Sequence, residues 1–248
     1  MQQLQTIEDQ VISAVQDFAN SIRSGSKVVA DMSALIDVTD NLPLSSFDYW
    51  ERLIRSEFSS ALRESSTPKW KVWSKPKEFI TWLDLISWDG YRREKALRAL
   101  SGAAPNAFFF SLAVRRLNDW VPQVRKAARE KLPEIAGSTD PDYVVEALSI
   151  ALSNWNSWGR IEEGDKEVLL QIICEEKIAK ELWSFLVYGE IEGWRILLID
   201  SGKNHNQQRM IRHDPVYPES AFTTRRTGNR SADRVVTQRC TRVDRTSR

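Results

Sequence analysis

A Leu-x-x-Trp pattern recurs in the middle of the chain, and its spacing constrains the fold more than any other feature of the sequence. The copies are Leu85-Trp88, Leu117-Trp120 and Leu152-Trp155. Successive Trp residues are 32 and 35 positions apart, which is the length of a repeat made of two paired helices. One helical hairpin cannot bury its own apolar face, whereas stacked hairpins cover one another. The spacing therefore predicts an array of helix pairs.

The residues that follow the first two copies match at an offset of 32. The matched pairs are Arg93 with Arg125, Ala96 with Ala128, and Leu100 with Leu132. Each repeat unit is then a helix, a short turn, a second helix and a Trp-bearing corner. The sequence has no sustained alternation of apolar and polar residues, and no Asn-Gly or Asp-Gly hairpin between strand patterns. We therefore expect an all-α protein.

The segment from about residue 76 to 160 resembles the HEAT-like, armadillo-type α-solenoid families. The first helix of their repeats often has a turn Asp or Pro, then Val-Arg, an Ala three residues on and a Leu four residues later. The better copy here is Asp119, Pro122, Val124, Arg125, Ala128 and Leu132. In the weaker copy, Gly90 replaces the Pro and Arg92 replaces the Val. The resemblance implies a HEAT-like helical-hairpin solenoid, with a concave groove formed by the second helices that binds a protein or peptide.

The chain divides into three regions by its patterning. Residues 1–66 form an N-terminal helical segment, with amphipathic helices expected over 4–22 and 45–62 and an apolar stretch, 28–38, that suits either a strand or a helix. Residues 76–202 carry the repeats. The helices expected there include one from Phe79 to Ile86 and one that begins at Asp140 with Pro141 in its first turn.

The Trp residues and Arg125 have two interpretations each. Trp88, Trp120 and Trp155 either plug the joints between repeats, which we favour, or form exposed anchors for a partner. Arg125 can hydrogen-bond the carbonyls of the preceding turn or pair with Asp119, and a ligand contact is the alternative. The partner-binding candidates, chosen because they lie at or near the end of a second helix, are Arg115, Arg116, Trp120 and Trp155.

The sequence offers little catalytic chemistry. Its only histidines, His205 and His213, lie near the C-terminus, and neither cysteine is close to them in sequence, so we expect no metal site, no cofactor and no His-dependent catalysis. The segment around Gly202-Lys203 lacks the first Gly and the final Ser or Thr of a phosphate-binding loop. Cys174 is expected to be a buried, inert thiol. We therefore expect a non-catalytic interaction scaffold.

One enzymatic alternative is a HEAT-like alkylpurine DNA glycosylase, although no active-site segment of that family matches this sequence residue by residue. Those enzymes combine a Trp, an Asp and an Arg around a damaged nucleotide. Residues of these types occur here as Trp88, Asp89, Arg93, Trp120 and Arg125. The net charge of −6 over residues 1–202 opposes DNA binding, because that binding depends on neutralising phosphates.

The last region, residues 203–248, has a net charge of +7 and contains no Leu. Three interpretations stay open. The region is a basic arm that binds nucleic acid or an acidic partner, a solvated terminus without a role, or an out-of-frame translation of a continuing solenoid. For nucleic-acid binding, the candidate residues are Arg225, Arg226, Arg230 and Arg234.

The cysteines and the apolar runs indicate the compartment. Cys174 and Cys240 form no Cys-x-x-Cys pair, which favours a reducing environment. The longest apolar run, of about eight residues, is far shorter than the roughly 20 that cross a bilayer. The N-terminus lacks the cationic start and apolar core of a signal peptide. We expect a cytoplasmic protein.

Overall fold

The computed structural model describes residues 2–23, 31–63 and 80–188. These ranges contain nine α-helices and no β-strand, so the all-α prediction is confirmed for this part of the chain. The helices are α1 Gln2–Arg23, α2 Ser33–Asp40, α3 Phe47–Arg63, α4 Gly90–Ala99, α5 Ala107–Arg115, α6 Pro122–Ser138, α7 Pro141–Ser153, α8 Glu163–Ile173 and α9 Glu176–Tyr188. None of the described helices combines the length and the hydropathy that crossing a bilayer requires.

The N-terminal helices form where apolar residues recur every three or four positions. In α1, the stripe of Val11, Val15 and Phe18 is buried because α1 packs against both α2 and α3. The rings of Phe18 and Phe58 stack with their centroids 5.9 Å apart. The ambiguous stretch 28–38 is helical from Ser33 onward, as the start of α2, while residues 24–30 lie outside the described ranges.

Of two helices expected in the repeat region, one differs in the structure and the other begins where expected. The segment expected to be a helix from Phe79 to Ile86 is instead a 3₁₀ helix, Trp82–Ile86, whose first turn is closed by a capping box between Thr81 and Asp84. Phe79 lies outside the described residues. In contrast, α7 begins as expected: Asp140 is its N-cap and Pro141 is its first residue.

From α4 onward, each helix packs against the helix two places further along the chain. One row consists of α4, α6 and α8, with α6 in the middle, and the other consists of α5, α7 and α9, with α7 in the middle. The side chains from Ala107 to Val114 of α5 are all buried, because α5 lies between α7, α6 and the N-terminal helix α2. This packing explains why the sequence of α5 is an almost uninterrupted apolar run.

A buried amide joins the N-terminal helices to the second row. Asn106 is the N-cap of α5, and its Oδ1 accepts a hydrogen bond from the Phe109 amide at 3.1 Å. Its Nδ2 donates to the Thr39 hydroxyl at 2.9 Å and to the Ile36 carbonyl at 3.1 Å, both in α2. One side chain therefore satisfies a helix terminus and fixes the approach of a second helix.

The dual role of Asn106 predicts a large effect of its removal. We expect Asn106→Ala to lower the free energy of unfolding by about 2–3 kcal/mol, because the cap and the two bonds to α2 are lost together. Asp140→Ala is the matched control, since the exposed Asp140 carboxylate caps only its own helix through the Asp142 amide, and we expect it to cost about 1 kcal/mol. Urea unfolding of both variants gives the comparison, and equal losses would contradict the linking role.

Candidate binding surfaces

A buried carboxylate, Asp119, lies at the corner between α5 and α6. Arg93 of α4 forms a two-bond pair with it, from Nε to Oδ2 and from Nη2 to Oδ1, both at 2.8 Å. Arg116 donates to Oδ2 at 3.2 Å, and the Val121 amide donates to Oδ1 at 2.9 Å. Asp119, Arg93 and Arg116 are all buried. The corner is thus held by charge pairs in the interior rather than by apolar packing alone.

The same network continues into α3. The Arg116 Nη2 donates to Oε1 of the buried Glu51 at 2.7 Å, and Glu51 also pairs with Arg55 one turn along the helix. The Arg55 Nε then donates to the Ile86 carbonyl at 2.8 Å. Five side chains, from Arg55 to Arg93, therefore connect α3, α4 and the corner after α5. We call this set, Glu51, Arg55, Arg93, Arg116 and Asp119, the corner network.

The pKa values in the network show what its members do for each other. Burial acts to raise the pKa of Asp119, but the hydrogen bonds from Arg93 and the Val121 amide, together with the charges of Arg116 and Arg93, outweigh it and lower that pKa. Burial lowers the pKa of Arg116, and the charges of Glu51 and Asp119 oppose that shift. Because an Arg stays protonated even when its pKa falls somewhat, Arg116 remains a cation that depends on its two carboxylates.

The two Arg residues at an offset of 32 each bond the carbonyl six positions earlier and an acidic side chain further along the chain. Arg93 donates to the Ser87 carbonyl at 2.7 Å and reaches forward to Asp119. Arg125 donates to the Asp119 carbonyl at 3.0 Å and reaches forward to Glu162 at 3.1 Å. The prediction that Arg125 hydrogen-bonds the preceding turn is confirmed. Each Arg therefore links its own corner to the next one.

The interpretation of the corner Trp residues as plugs is wrong for two of the three. Trp88 is 66% exposed and Trp120 is 67% exposed. Each ring instead lies over a guanidinium: the Arg55 Cζ is 4.9 Å from the Trp88 ring centroid, and the Arg93 Cζ is 5.7 Å from that of Trp120. The completely buried residues of these corners are the leucines of the pattern, Leu85 and Leu117, so Leu rather than Trp fills the joint.

The third copy of the pattern is not equivalent to the other two. Trp155 is only 9% exposed and begins a 3₁₀ helix directly after α7, with its ring centroid 5.9 Å from that of Trp158. Trp88 and Trp120 immediately precede the N-caps of α4 and α6, whereas Ile161 holds that place before α8. A longer connection therefore moves the third Trp into the interior.

Two exposed Trp residues and Tyr91, which lie at the starts of α4 and α6, are together called the aromatic corner. Tyr91 is 85% exposed in the first turn of α4. Arg93 connects the two Trp residues, because it donates to the Trp88 carbonyl at 3.2 Å while its guanidinium supports the Trp120 ring. The sequence reasoning missed Tyr91, although the buried positions of α4, Arg93, Ala96 and Leu97, place it off the inward face of the helix.

The predicted partner-binding residues differ in their exposure to solvent. Trp120 is exposed and Arg115 is half-buried, whereas Arg116 and Trp155 are buried, and this corrects the expectation that all four offer contact surface. Arg116 is used by Glu51 and Asp119, and Trp155 by the packing after α7. The nucleic-acid candidates Arg225, Arg226, Arg230 and Arg234 lie outside the described residues.

The residues of the glycosylase alternative have structural contacts. The Asp89 carboxylate accepts the Tyr91 amide at 3.0 Å as the N-cap of α4, and Arg93 is buried against Asp119. Arg125 bonds the Asp119 carbonyl and Glu162. The geometry therefore gives no support to a nucleotide site formed by these groups.

A second surface lies beside the second helices, and we call it the second-helix cleft. It is a cleft of about 270 Å³ lined by residues from the start of α3, from α5 and from α7. Arg115 lies at its edge, with its Nη2 3.1 Å from the Asp48 Oδ1 and its guanidinium 5.4 Å from the Trp158 ring centroid. The cleft is lined by Leu44, Ser45, Ser46, Phe47, Asp48, Tyr49, Arg52, Ser111, Arg115, Ala147, Ile150, Ala151, Asn154 and Trp158.

No group of three or more His, Cys, Asp and Glu side chains in the described ranges is placed to hold a metal ion. Cys174, which we expected to be buried, is only partly buried at the end of α8.

Comparison of the chain with protein-family models, with curated proteins and with solved structures finds no match.

The corner network predicts a severe effect of neutralising its central carboxylate. We expect Asp119→Asn to lower the free energy of unfolding by about 3–5 kcal/mol, because Arg93 and Arg116 are left buried with less counter-charge. Glu130→Gln is the matched control: it also removes one carboxylate from an Arg pair, with Arg98, but on an exposed surface, where the cost is about 0–1 kcal/mol. Denaturant unfolding measures both, and a small loss for Asp119→Asn would contradict the proposed importance of the network.

The lowered pKa of Asp119 also predicts a dependence of stability on acid. Because the folded-state pKa lies below the ordinary value of 3.8, the ionised carboxylate stabilises the fold above that pH. This stabilisation is lost as the pH falls through the lower, folded-state pKa. We expect the stability difference between the wild type and Asp119→Asn to shrink between about pH 5 and pH 2. Unfolding measured across that range tests this, and a constant difference would contradict it.

Proposed function

We propose that the chain is a non-catalytic scaffold for protein–protein interaction, built as a HEAT-like solenoid. Three features support the repeat architecture. Helices two places apart pack in two rows, Arg93 and Arg125 make equivalent contacts at an offset of 32, and Leu85 and Leu117 fill equivalent joints. Stacks of this kind present extended surfaces to partners. The cytoplasm remains the expected compartment, because the sequence lacks a disulfide framework.

The observation that carries the binding role is the aromatic corner. Trp88, Tyr91 and Trp120 are each about two-thirds exposed or more, whereas large aromatic side chains in a folded domain are usually well buried. Exposed clusters of apolar surface mark interaction sites, and Trp and Tyr are enriched among the residues that dominate binding energy. A protein partner that covers these rings would bury area that the isolated chain leaves in contact with water.

The support beneath the rings makes the corner suited to binding. The Arg55 and Arg93 guanidiniums lie against Trp88 and Trp120, and both cations are fixed by the corner network. A side chain that is already held in place loses less conformational entropy when a partner binds it. The corner is therefore both apolar and ordered before binding.

The nucleic-acid alternative has no support in the described part of the chain. Those ranges carry 18 Lys and Arg residues against 25 Asp and Glu residues, a balance that opposes a phosphate backbone. The candidate Arg residues of the alternative are at 225–234, outside those ranges. Nucleic-acid binding through the last region stays a prediction from the sequence.

The aromatic corner predicts a specific loss of binding. We expect Trp88→Ala and Trp120→Ala each to weaken the partner complex by about 2 kcal/mol, the effect of removing a dominant interface residue. Crosslinking in the cell of origin identifies the partner, and calorimetry with the purified partner measures the loss. Thermal unfolding of both variants is expected to change little, because the removed rings are exposed and their contact with Arg contributes only about 0.5–1 kcal/mol.

The control is Lys180→Ala, which removes an exposed side chain from α9, distant in the stack from the corner. It is expected to leave the complex unchanged. If the wild type recovers a defined partner and the double variant Trp88→Ala/Trp120→Ala binds it equally well, the corner is not the docking surface. If the wild type recovers no stable protein partner, the scaffold proposal fails.

A further inference from the structure

We infer that the second-helix cleft binds an acidic segment of peptide, with Arg115 as the residue that receives the carboxylate. This inference goes beyond the aromatic corner, because the cleft is a separate surface formed by α3, α5 and α7. It is drawn from the charge of the cleft, from the support of Arg115 and from the apolar floor beneath it.

The side chains that line the cleft carry a net positive charge, although the described part of the chain is acidic. Its lining carries two cations, Arg52 and Arg115, and one anion, Asp48. Glu8 of α1 accepts the Tyr49 hydroxyl at 2.6 Å but does not belong to the lining of the cleft. An acidic ligand is therefore steered to the Arg115 end, whereas a basic one meets repulsion there.

Arg115 is held in place by its neighbours, and its guanidinium still has N–H donors available for a ligand. Its guanidinium lies over the Trp158 ring, and its Nη2 pairs with a single Asp48 oxygen at 3.1 Å. The Asp48 side chain is 58% exposed, while that of Arg115 is 27% exposed. A guanidinium has five N–H donors and can hold a carboxylate with two parallel bonds. A ligand carboxylate would thus take over from Asp48 and gain a second bond.

The floor of the cleft indicates a peptide rather than a free acid. Its apolar lining includes Leu44, Phe47, Ile150 and Trp158, which suits an aliphatic side chain next to the acidic one. A small carboxylate would leave this apolar lining uncovered and gain nothing from it.

The test is a nuclear magnetic resonance titration of the full chain, labelled with ¹⁵N at its Trp residues. The Trp158 Nε1 is buried and has no hydrogen-bond partner among the described residues, so its indole signal, assigned with Trp158→Phe, reports on the cleft. The probes are acetyl-Ala-Leu-Glu-Leu-Ala-amide and the same peptide with Gln or Lys in place of Glu. We expect a saturable shift with the Glu peptide, about fivefold weaker binding with Gln and none with Lys.

Two substitutions at the Arg115 pair act in opposite directions. Arg115→Gln is expected to weaken the Glu peptide about fivefold, whereas Asp48→Asn, which frees Arg115 from its internal competitor, is expected to tighten it about twofold. A misfolded variant cannot produce tighter binding, so Asp48→Asn keeps the inference falsifiable. The double variant Trp88→Ala/Trp120→Ala is expected to leave the peptide affinity unchanged, which separates this result from the test of the aromatic corner.

Several outcomes would overturn the inference. These are the absence of a saturable shift with the Glu peptide, equal affinities for the Glu and Gln peptides, weaker binding by Asp48→Asn, and no effect of Arg115→Gln. Glutarate is the probe for a free acid, and binding of glutarate as tight as that of the Glu peptide would overturn the assignment to a peptide.

Discussion

The buried pairing of Asp119 with Arg93 and Arg116 is the interaction on which the rest of the structure depends. Removing charges from water is costly, and only close, well-directed pairing offsets that cost. Arg93 comes from α4, Arg116 from the corner after α5, and Glu51 from α3. Because each charge is stabilised only when the others are in place, the network strongly favours one arrangement of these three elements. Apolar packing between helices discriminates less between alternative alignments.

The network also explains why Trp side chains lie on the surface of a chain with a large apolar core. An Arg that bonds the carbonyls of its own corner and the carboxylate of the next has its flat guanidinium fixed, as with Arg93. A Trp ring can then rest on that guanidinium while its other side faces water, as Trp120 does. The interior charge pairs therefore fix the guanidiniums that support the exposed Trp rings.

The sequence predicted the helices well and the corners only in part. The start of α7 was readable because its signal is local: Asp140 followed by Pro141 marked that helix start within one residue. The role of Arg125 was also readable, since its partner carbonyl belongs to Asp119, six positions earlier. The exposure of Trp88 and Trp120 could not be predicted, because the guanidiniums that support them belong to Arg55 and Arg93, on preceding helices. A pattern such as Leu-x-x-Trp likewise does not reveal that the third connection is longer, which buries Trp155.

Arg115 and Arg116 are neighbours in sequence but lie in different environments. Their positions show how the corner after α5 influences both the aromatic corner and the second-helix cleft. Consecutive residues at the end of a helix point about 100° apart, so the two guanidiniums cannot lie in the same environment. Glu51 and Asp119 draw Arg116 into the interior. Because Arg116 points inward, Arg115 points toward Asp48 and Trp158, on the side of the second helices. The same Asp119 that holds Arg116 also holds Arg93 beneath Trp120. A change in the corner network would therefore alter the aromatic corner and the second-helix cleft together, although no residue of the network except Arg93 and Arg55 contacts an exposed ring.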